Sequence, residues 1–392
     1  MTGPVAAASP HPAPVPRARL LAFYLPQFHP IPENDEKWGT GFTEWTNVAK
    51  ARPSFRGHRQ PRIPADLGFY DLRLPEARAA QADLARAYGI EGFCYWHYWF
   101  GGTRLLERPF AEVLASGEPD FPVCLAWANE SWTDTWLGTG TVLQAQRYSP
   151  DDDVAHARWL AEAFADRRYV RVDGRPVFLV YRPDELPDLA RTADTIRTEV
   201  TRAGVTEPLV LGVDAFSFGH DFREDGLDGT VAFEPNLGLL PHNNPTAPLA
   251  RPWRKVVRTA RNLRLGVAST TLKAYSYRRY VEESRRRRAL HEHPYYPGVF
   301  SGWDNTPRRG RGAFVMLDDD VRWFETELAR VVDAVQARPP EERLVFVTAW
   351  NEWAEGNFLE PALDTGSERL EAVARVVLGR VPDAASGDPQ AE

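Results

Sequence analysis

The sequence predicts an α/β protein: one (β/α)8 TIM barrel over residues 18–380, a single domain with a long insertion before the seventh strand. Three observations carry that expectation. Eight short, nearly continuous apolar runs recur along the chain, and runs without polar alternation suit parallel strands covered on both faces. Stretches with helix-forming composition and capping signals lie between most of them. Polar and aromatic residues gather directly after the runs, where a barrel of this kind carries its chemistry.

The elements follow in order. RLLAFYL (19–25) opens the alternation and leads into PQFHPIPENDEKWGTGFTEWTNV. LPEARAAQADLARAYG (74–89) has helix formers and a Gly stop, then IEGFCYWHY (90–98) runs into YWFGGTRLLE. PVCLAWA (122–128) precedes NESWTDTW, and SPDDDVAHARWLAEAFADRR (149–168) begins with a Ser cap and an acidic first turn. PVFLVY (176–181), the helix DLARTADTIRTEVTRAG (188–204), LVLGVDAF (209–216) and GTVAFE (229–234) continue the pattern. Residues 239–296 are too long for a simple connection and read as an insertion. GVFSGW (298–303), the helix LDDDVRWFETELARVVDAVQAR (317–338), LVFVTAW (344–350) and the helix SERLEAVARVVLG (367–379) complete it.

Composition bounds the function. With 43% hydrophobic and 26% charged residues the chain can bury a sizeable core, and a net charge of −7 argues against nucleic acid as a partner. No run approaches the roughly 20 apolar residues of a membrane span. The start, MTGPVAAASPHPAPVPRAR, has prolines where a signal peptide needs an apolar core. Residues 1–17 and 381–392 are therefore expected to be disordered tails, and the protein cytoplasmic. Cys94 and Cys124, each inside an apolar run, read as buried free thiols. There is no GxGxxG and no P-loop, so no nucleotide cofactor is expected. No metal is expected either: His291, Glu292 and His293 precede the seventh strand, at the wrong end of a barrel, and read as surface loop. The acidic triplets Asp151–Asp153 and Asp318–Asp320 stand at helix starts, and Arg285–Arg288 reads as a solvated helix face.

The strongest candidate site is TAWNEWAEGNFLEP (348–361), where Glu352 and Glu355 lie three apart between Trp350 and Trp353 at the end of the eighth strand. Glycosidic cleavage needs one carboxyl to protonate the leaving oxygen and another to assist on the sugar, and indole walls can push two such pKa values apart. The competing reading is a solvated acidic loop. Ten of the 13 tryptophans fall at or just beyond strand ends, interleaved with acids and amides. Aromatic faces stack on sugar C–H faces while carboxylates and amides bind vicinal hydroxyls, so an oligo- or polysaccharide is the expected ligand. Candidate sugar-binding residues are Tyr24, Gln27, Glu44 and Trp45 around the first strand, and Tyr95 and His97 in the second. Trp127, Asn129, Glu130 and Trp132 follow at the third, Glu234 at the sixth and Trp303, Asp304, Asn305 and Arg308 at the seventh, with Trp350, Asn351 and Trp353 beside the glutamates. Structural alternatives stand beside these: backbone capping for the acids and amides, and a satisfied core histidine for His97.

YLPQFHPIPENDEKWGTGFTEWTNV, GFCYWHYWFGGTRLLE, LAWANESWTDTW, WDNTPR and AWNEWAEGNFLEP, in that order, closely resemble the signatures of WbsX-type proteins, relatives of glycoside hydrolase family 99. The resemblance covers roughly residues 18–380 and implies a (β/α)8 barrel acting on glycans without metal or nucleotide. Family 99 comprises endo-acting, retaining mannosidases and mannanases. The resemblance implies that Glu352 is the base drawing the proton from the sugar's 2-hydroxyl to form a 1,2-anhydro intermediate. It likewise implies that Glu355 is the acid that protonates the leaving oxygen and then the base that activates water. WbsX-type proteins accompany surface-polysaccharide assembly and were named as glycosyltransferases. A transferase or transglycosidase is thus the second reading, and a non-catalytic glycan-binding barrel the third.

Overall fold

The computed structural model describes residues 15–133, 142–240, 272–288 and 294–382. Eight parallel strands form the barrel: β1 (Arg19–Tyr24), β2 (Ile90–Phe100), β3 (Val123–Trp127), β4 (Arg175–Val180), β5 (Leu209–Asp214), β6 (Gly229–Ala232), β7 in two pieces (Tyr295–Tyr296 and Gly298–Phe300) and β8 (Leu344–Thr348). Each pairs with the next in sequence, and β1 pairs with β8 through Arg19↔Leu344 to Ala22↔Val347. The first piece of β7 pairs with β6 and the second with β8, so Pro297, which has no N–H to give, sits where the strand changes partner. Its carbonyl still accepts the Phe346 N–H at 2.9 Å. Strand seven therefore lies at 295–300 rather than 298–303, because Ser301–Trp303 have already turned away into the loop above.

The uninterrupted apolar runs are buried on both faces as parallel strands require: β5, β6 and β8 have no exposed position. The barrel packs tightly enough that strand glycines are needed for clearance, Gly92, Gly212, Gly229 and Gly298 among them. A Cβ on Gly298 would meet the Ala232 carbonyl oxygen of β6 at 2.2 Å.

The expected helices form at Pro75–Ala87, Pro150–Phe164, Leu189–Arg202, Val321–Val335 and Glu368–Leu378. Ser149 accepts the Asp152 N–H and Asp320 the Arg322 N–H, so both acidic triplets do stand at helix starts. Of the insertion, a strand Lys273–Ser276 and a helix Tyr277–Arg288 are described; Arg285 pairs with Glu327 and Arg286 with Glu283. His291, Glu292 and His293 lie outside the described residues, as do 1–14 and 383–392 of the expected tails. Arg17 is docked, its N–H on the Val377 carbonyl. Cys94 and Cys124 are buried free thiols at paired positions of β2 and β3. No described helix is long and apolar enough to cross a membrane.

Candidate active site

The C-terminal strand ends surround an open cleft of about 620 Å³. Its deepest polar feature is built by β8. After that strand the chain makes a small antiparallel ladder, Asn351–Glu352 against Asn357–Phe358, joined by a tight turn over Trp353–Glu355. Gly356 closes the turn at φ +59°, where a Cβ would stand 2.9 Å from the Asp304 backbone nitrogen. Trp353 stacks on Phe358 with centroids 3.8 Å apart, and Asn351 is pinned to Leu25 through both the N–H (2.7 Å) and the carbonyl (3.0 Å). The ladder thus faces apolar rings and amides into the core and presents Glu352 and Glu355 to the cleft.

One guanidinium organises the acids. Arg308, on the short helix Thr306–Arg309 beyond β7, gives Nε to Glu44 at 2.6 Å, Nη2 to Glu352 at 2.7 Å and lies with Nη1 2.8 Å from Glu355. Its side chain is only 7% exposed. Asp304 supports this helix: Oδ1 accepts the Thr306 N–H and O–H, and Oδ2 lies 2.6 Å from His58 Nε2 and accepts from Gln60 at 2.7 Å. Its own N–H donates to the Glu355 carbonyl at 2.6 Å, locking the helix to the β8 turn.

Three carboxylates against one cation leave an excess of buried negative charge. Burial, with the charges of Glu355 and Glu44 added, pushes Glu352 up to about 8 against the pull of Arg308. Burial opposes the charge on Arg308, but Glu352, Glu44 and Glu355 outweigh it and raise the guanidinium further. Burial thus favours the protonated form of Glu352 near neutral pH.

The structure divides the sequence candidates into three groups. Gln27, Glu44, Glu130, Trp132, Trp303, Asn305, Arg308, Glu352 and Glu355 line the cleft. Tyr24, Tyr95, His97 and Trp127 point instead toward the helices. Tyr24 donates to Gln81, Tyr95 packs on Phe110, Trp127 meets the His156 ring edge-on, and His97 shares a 3.0 Å Nε2···Nε2 hydrogen bond with His156. Burial, with Arg104 nearby, pushes His97 down to about 3, so this imidazole pair is neutral. The remaining candidates are held by the protein itself. Trp45 donates to the Tyr70 carbonyl, and Asn129 bonds the Arg182 backbone through both amide atoms. Glu234 accepts from Tyr280, and Trp350 is buried against Phe93. Trp353, Asn351 and Asp304 buttress the turn as described above.

Sequence reasoning missed the alternate face of β2: Trp96, Tyr98 and Phe100 line the cleft while Tyr95, His97 and Trp99 do not. A period of two was the available signal, but YWHYWF is aromatic on both faces and does not reveal which parity points inward. It also missed Arg182, just after β4, which pairs with Glu130, Asp184 and Glu185 and lies over the Phe216 ring. Tyr181, Phe216 and Phe233 complete the aromatic wall. Trp136 lies outside the described residues.

Residues 20–373 match the family model described as Glycosyltransferase WbsX. Two curated proteins from Xanthomonas campestris pv. campestris, both called uncharacterized protein WxcX, are 41% identical over 379 residues, which is 94% of this chain and 51% of theirs. The chain thus spans about half the length of the curated relatives it matches. Among solved structures, a GH99 endo-alpha-mannosidase from Bacteroides thetaiotaomicron superposes with TM-scores of 0.54 and 0.53 in two structures, at 15% and 14% identity, over 91% of this chain and 95% of that one. A glycoside hydrolase-like protein superposes with a TM-score of 0.52 at 15% identity, over 94% and 96%.

Proposed function

The chain belongs to the WbsX glycosyltransferase family of carbohydrate-active enzymes, and from the geometry of its cleft we propose that it is a retaining, endo-acting glycoside hydrolase of α-linked, mannose-type glycans. The observation that carries this reading is the pair Glu352 and Glu355, joined by one buried guanidinium on the floor of an open, ring-lined cleft.

A pair that holds a single proton suits the chemistry. In the first step the protonated Glu355 gives its proton to the leaving glycosidic oxygen. Glu352 takes the proton of the 2-hydroxyl, O2 attacks C1, and the C1–O bond breaks to leave a 1,2-anhydro sugar. In the second step Glu355 deprotonates water, the water oxygen attacks C1, the C1–O2 bond of the anhydro ring breaks, and O2 recovers its proton from Glu352. The pair carries one proton throughout, and the product keeps its anomeric configuration. Arg308 contacts both carboxylates, so either location of the negative charge has its counter-ion. In the empty cleft burial favours the protonated form of Glu352. A 2-hydroxyl donating to Glu352 favours its ionised form, the form that the first step needs.

The test is product analysis by proton NMR on α-mannosyl oligosaccharides, with Glu352→Gln and Glu355→Gln. Each variant should lose at least about a thousandfold in kcat while still binding the glycan. Wild-type rates in both variants would overturn the assignment. The family description favours a second reading, in which a sugar hydroxyl rather than water intercepts the same intermediate. Longer products in the presence of acceptor glycans distinguish transfer from hydrolysis. Turnover that requires a nucleotide sugar would replace both.

A further inference from the structure

Behind the turn that carries Glu352 and Glu355 lies another carboxylate that does not reach the cleft. Glu360 is 2% exposed, and no described lysine or arginine forms a salt bridge with it. Neutral donors surround it instead. Trp353 Nε1–H (2.5 Å) and Tyr70 O–H (2.9 Å) donate to one oxygen, and Gln81 Nε2–H (2.7 Å) donates to the other. These donors are oriented in turn. Tyr24 O–H donates to Gln81 Oε1 at 2.7 Å, which fixes the amide with its NH2 group toward Glu360, and Asn351 Nδ2–H donates to the Tyr70 oxygen at 3.3 Å.

The hydrogens of Trp353, Tyr70 and Gln81 all run toward Glu360, so the network is complete with its carboxyl ionised, the form that accepts only and that forms as pH rises through about 7. Two of the residues it reaches flank the chemistry: Trp353 stands between Glu352 and Glu355, and Asn351 precedes Glu352. The Trp353 ring is buried between Phe358 and Trp45, contacts without direction, and its indole N–H bond to Glu360 is the directional contact of the ring.

We propose that Glu360 is a positioning residue of the active site, its carboxylate holding Trp353 directly and Asn351 through Tyr70, and so setting the angle at which Glu352 and Glu355 enter the cleft. This rests on the proposed function for the chemistry of the pair, but the geometric claim can be tested apart from it. Glu360→Gln conserves volume and replaces one acceptor by an NH2 group that faces existing donors. It should lower kcat about 10- to 100-fold with KM within about threefold, the signature of misaligned reacting groups. Hydrogen exchange of the amides over 351–358 should accelerate while that of the barrel strands does not. In Trp353→Phe the N–H donor is gone, so the double variant with Glu360→Gln should be no more impaired than the worse single one.

Wild-type kcat and wild-type local exchange in Glu360→Gln, or losses that multiply in the double variant, would overturn the proposal. Should Glu360→Gln not fold, Tyr70→Phe removes one donor with the carboxylate left in place, and is expected to show the same local exchange and kcat effects in smaller degree; neither effect there would also overturn it. If the wild-type protein cleaves no glycan, the proposed function fails, while the exchange measurement still decides the role of Glu360.

Discussion

Arg308 is the residue on which the acidic cluster depends. Removing one partner of a buried ion cluster leaves the others uncompensated, which costs about 3–5 kcal/mol. Arg308→Met keeps much of the volume and removes the charge, so a stability loss of that order is expected from denaturant unfolding. The same change strips Glu352 of the one contact that lowers its pKa, so the group should titrate above its value of about 8. A pH–rate profile of residual activity should then show its alkaline limb displaced upward. Arg308→Lys retains a charge but not the fork that reaches Glu44, Glu352 and Glu355 together, and should recover stability better than kcat.

At the scale of elements, the site is the meeting of two short ones: the turn after β8 and the helix Thr306–Arg309 after β7. They touch where Gly356 passes the Asp304 backbone, with the Asp304 N–H bonded to the Glu355 carbonyl. Gly356→Ala adds a methyl group into that contact at a left-handed backbone position. A loss of about 1–3 kcal/mol is expected, read as a lower denaturant midpoint with an unchanged slope. Activity should fall more than stability accounts for, because the displaced atoms are those that set Glu355 against Arg308. On the barrel wall, β2 explains which candidates reach the cleft. Trp96 and Tyr98 face it and Tyr95 and His97 do not, a parity set by how β2 pairs with β1 and β3.

Across the whole molecule, Glu352 and Glu360 are pushed up to about 8 and about 7, in both cases chiefly by burial, from ordinary values of 4.5. Both bind their proton more tightly folded than unfolded. Their favourable contribution is complete below about pH 4.5 and is lost as pH rises through 7 and then 8. Asp304 has the opposite sign: burial opposes its charge, but His58, Gln60 and Thr306 hold it below the usual carboxylate range, so its contribution is lost in acid. The melting temperature should therefore decline between pH 6 and 9, and Glu352→Gln should flatten that decline by removing one of the titrating groups. An equal slope in wild type and variant would contradict the burial assigned to Glu352.

Much of this architecture was legible in the linear chain because it depends on local chemistry. Continuous apolar runs specify strands covered on both faces, Ser149 and Asp320 mark helix starts, and Glu352 and Glu355 sit in a motif whose position at the end of β8 follows from counting strands. Local chemistry was thus enough to specify the barrel, the end at which its polar and aromatic strand-end loops gather, and the pair Glu352 and Glu355 placed there. The tertiary structure alone decided which rings face the cleft, that Arg308 binds Glu44, Glu352 and Glu355 together, and that Glu360 lies behind them. The reason is physical. Arg308 is 264 positions from Glu44 and Gln81 is 279 from Glu360, and such contacts arise only when barrel closure brings distant strand ends together. In strands apolar on both faces, inward and outward are likewise assigned by register and not by composition.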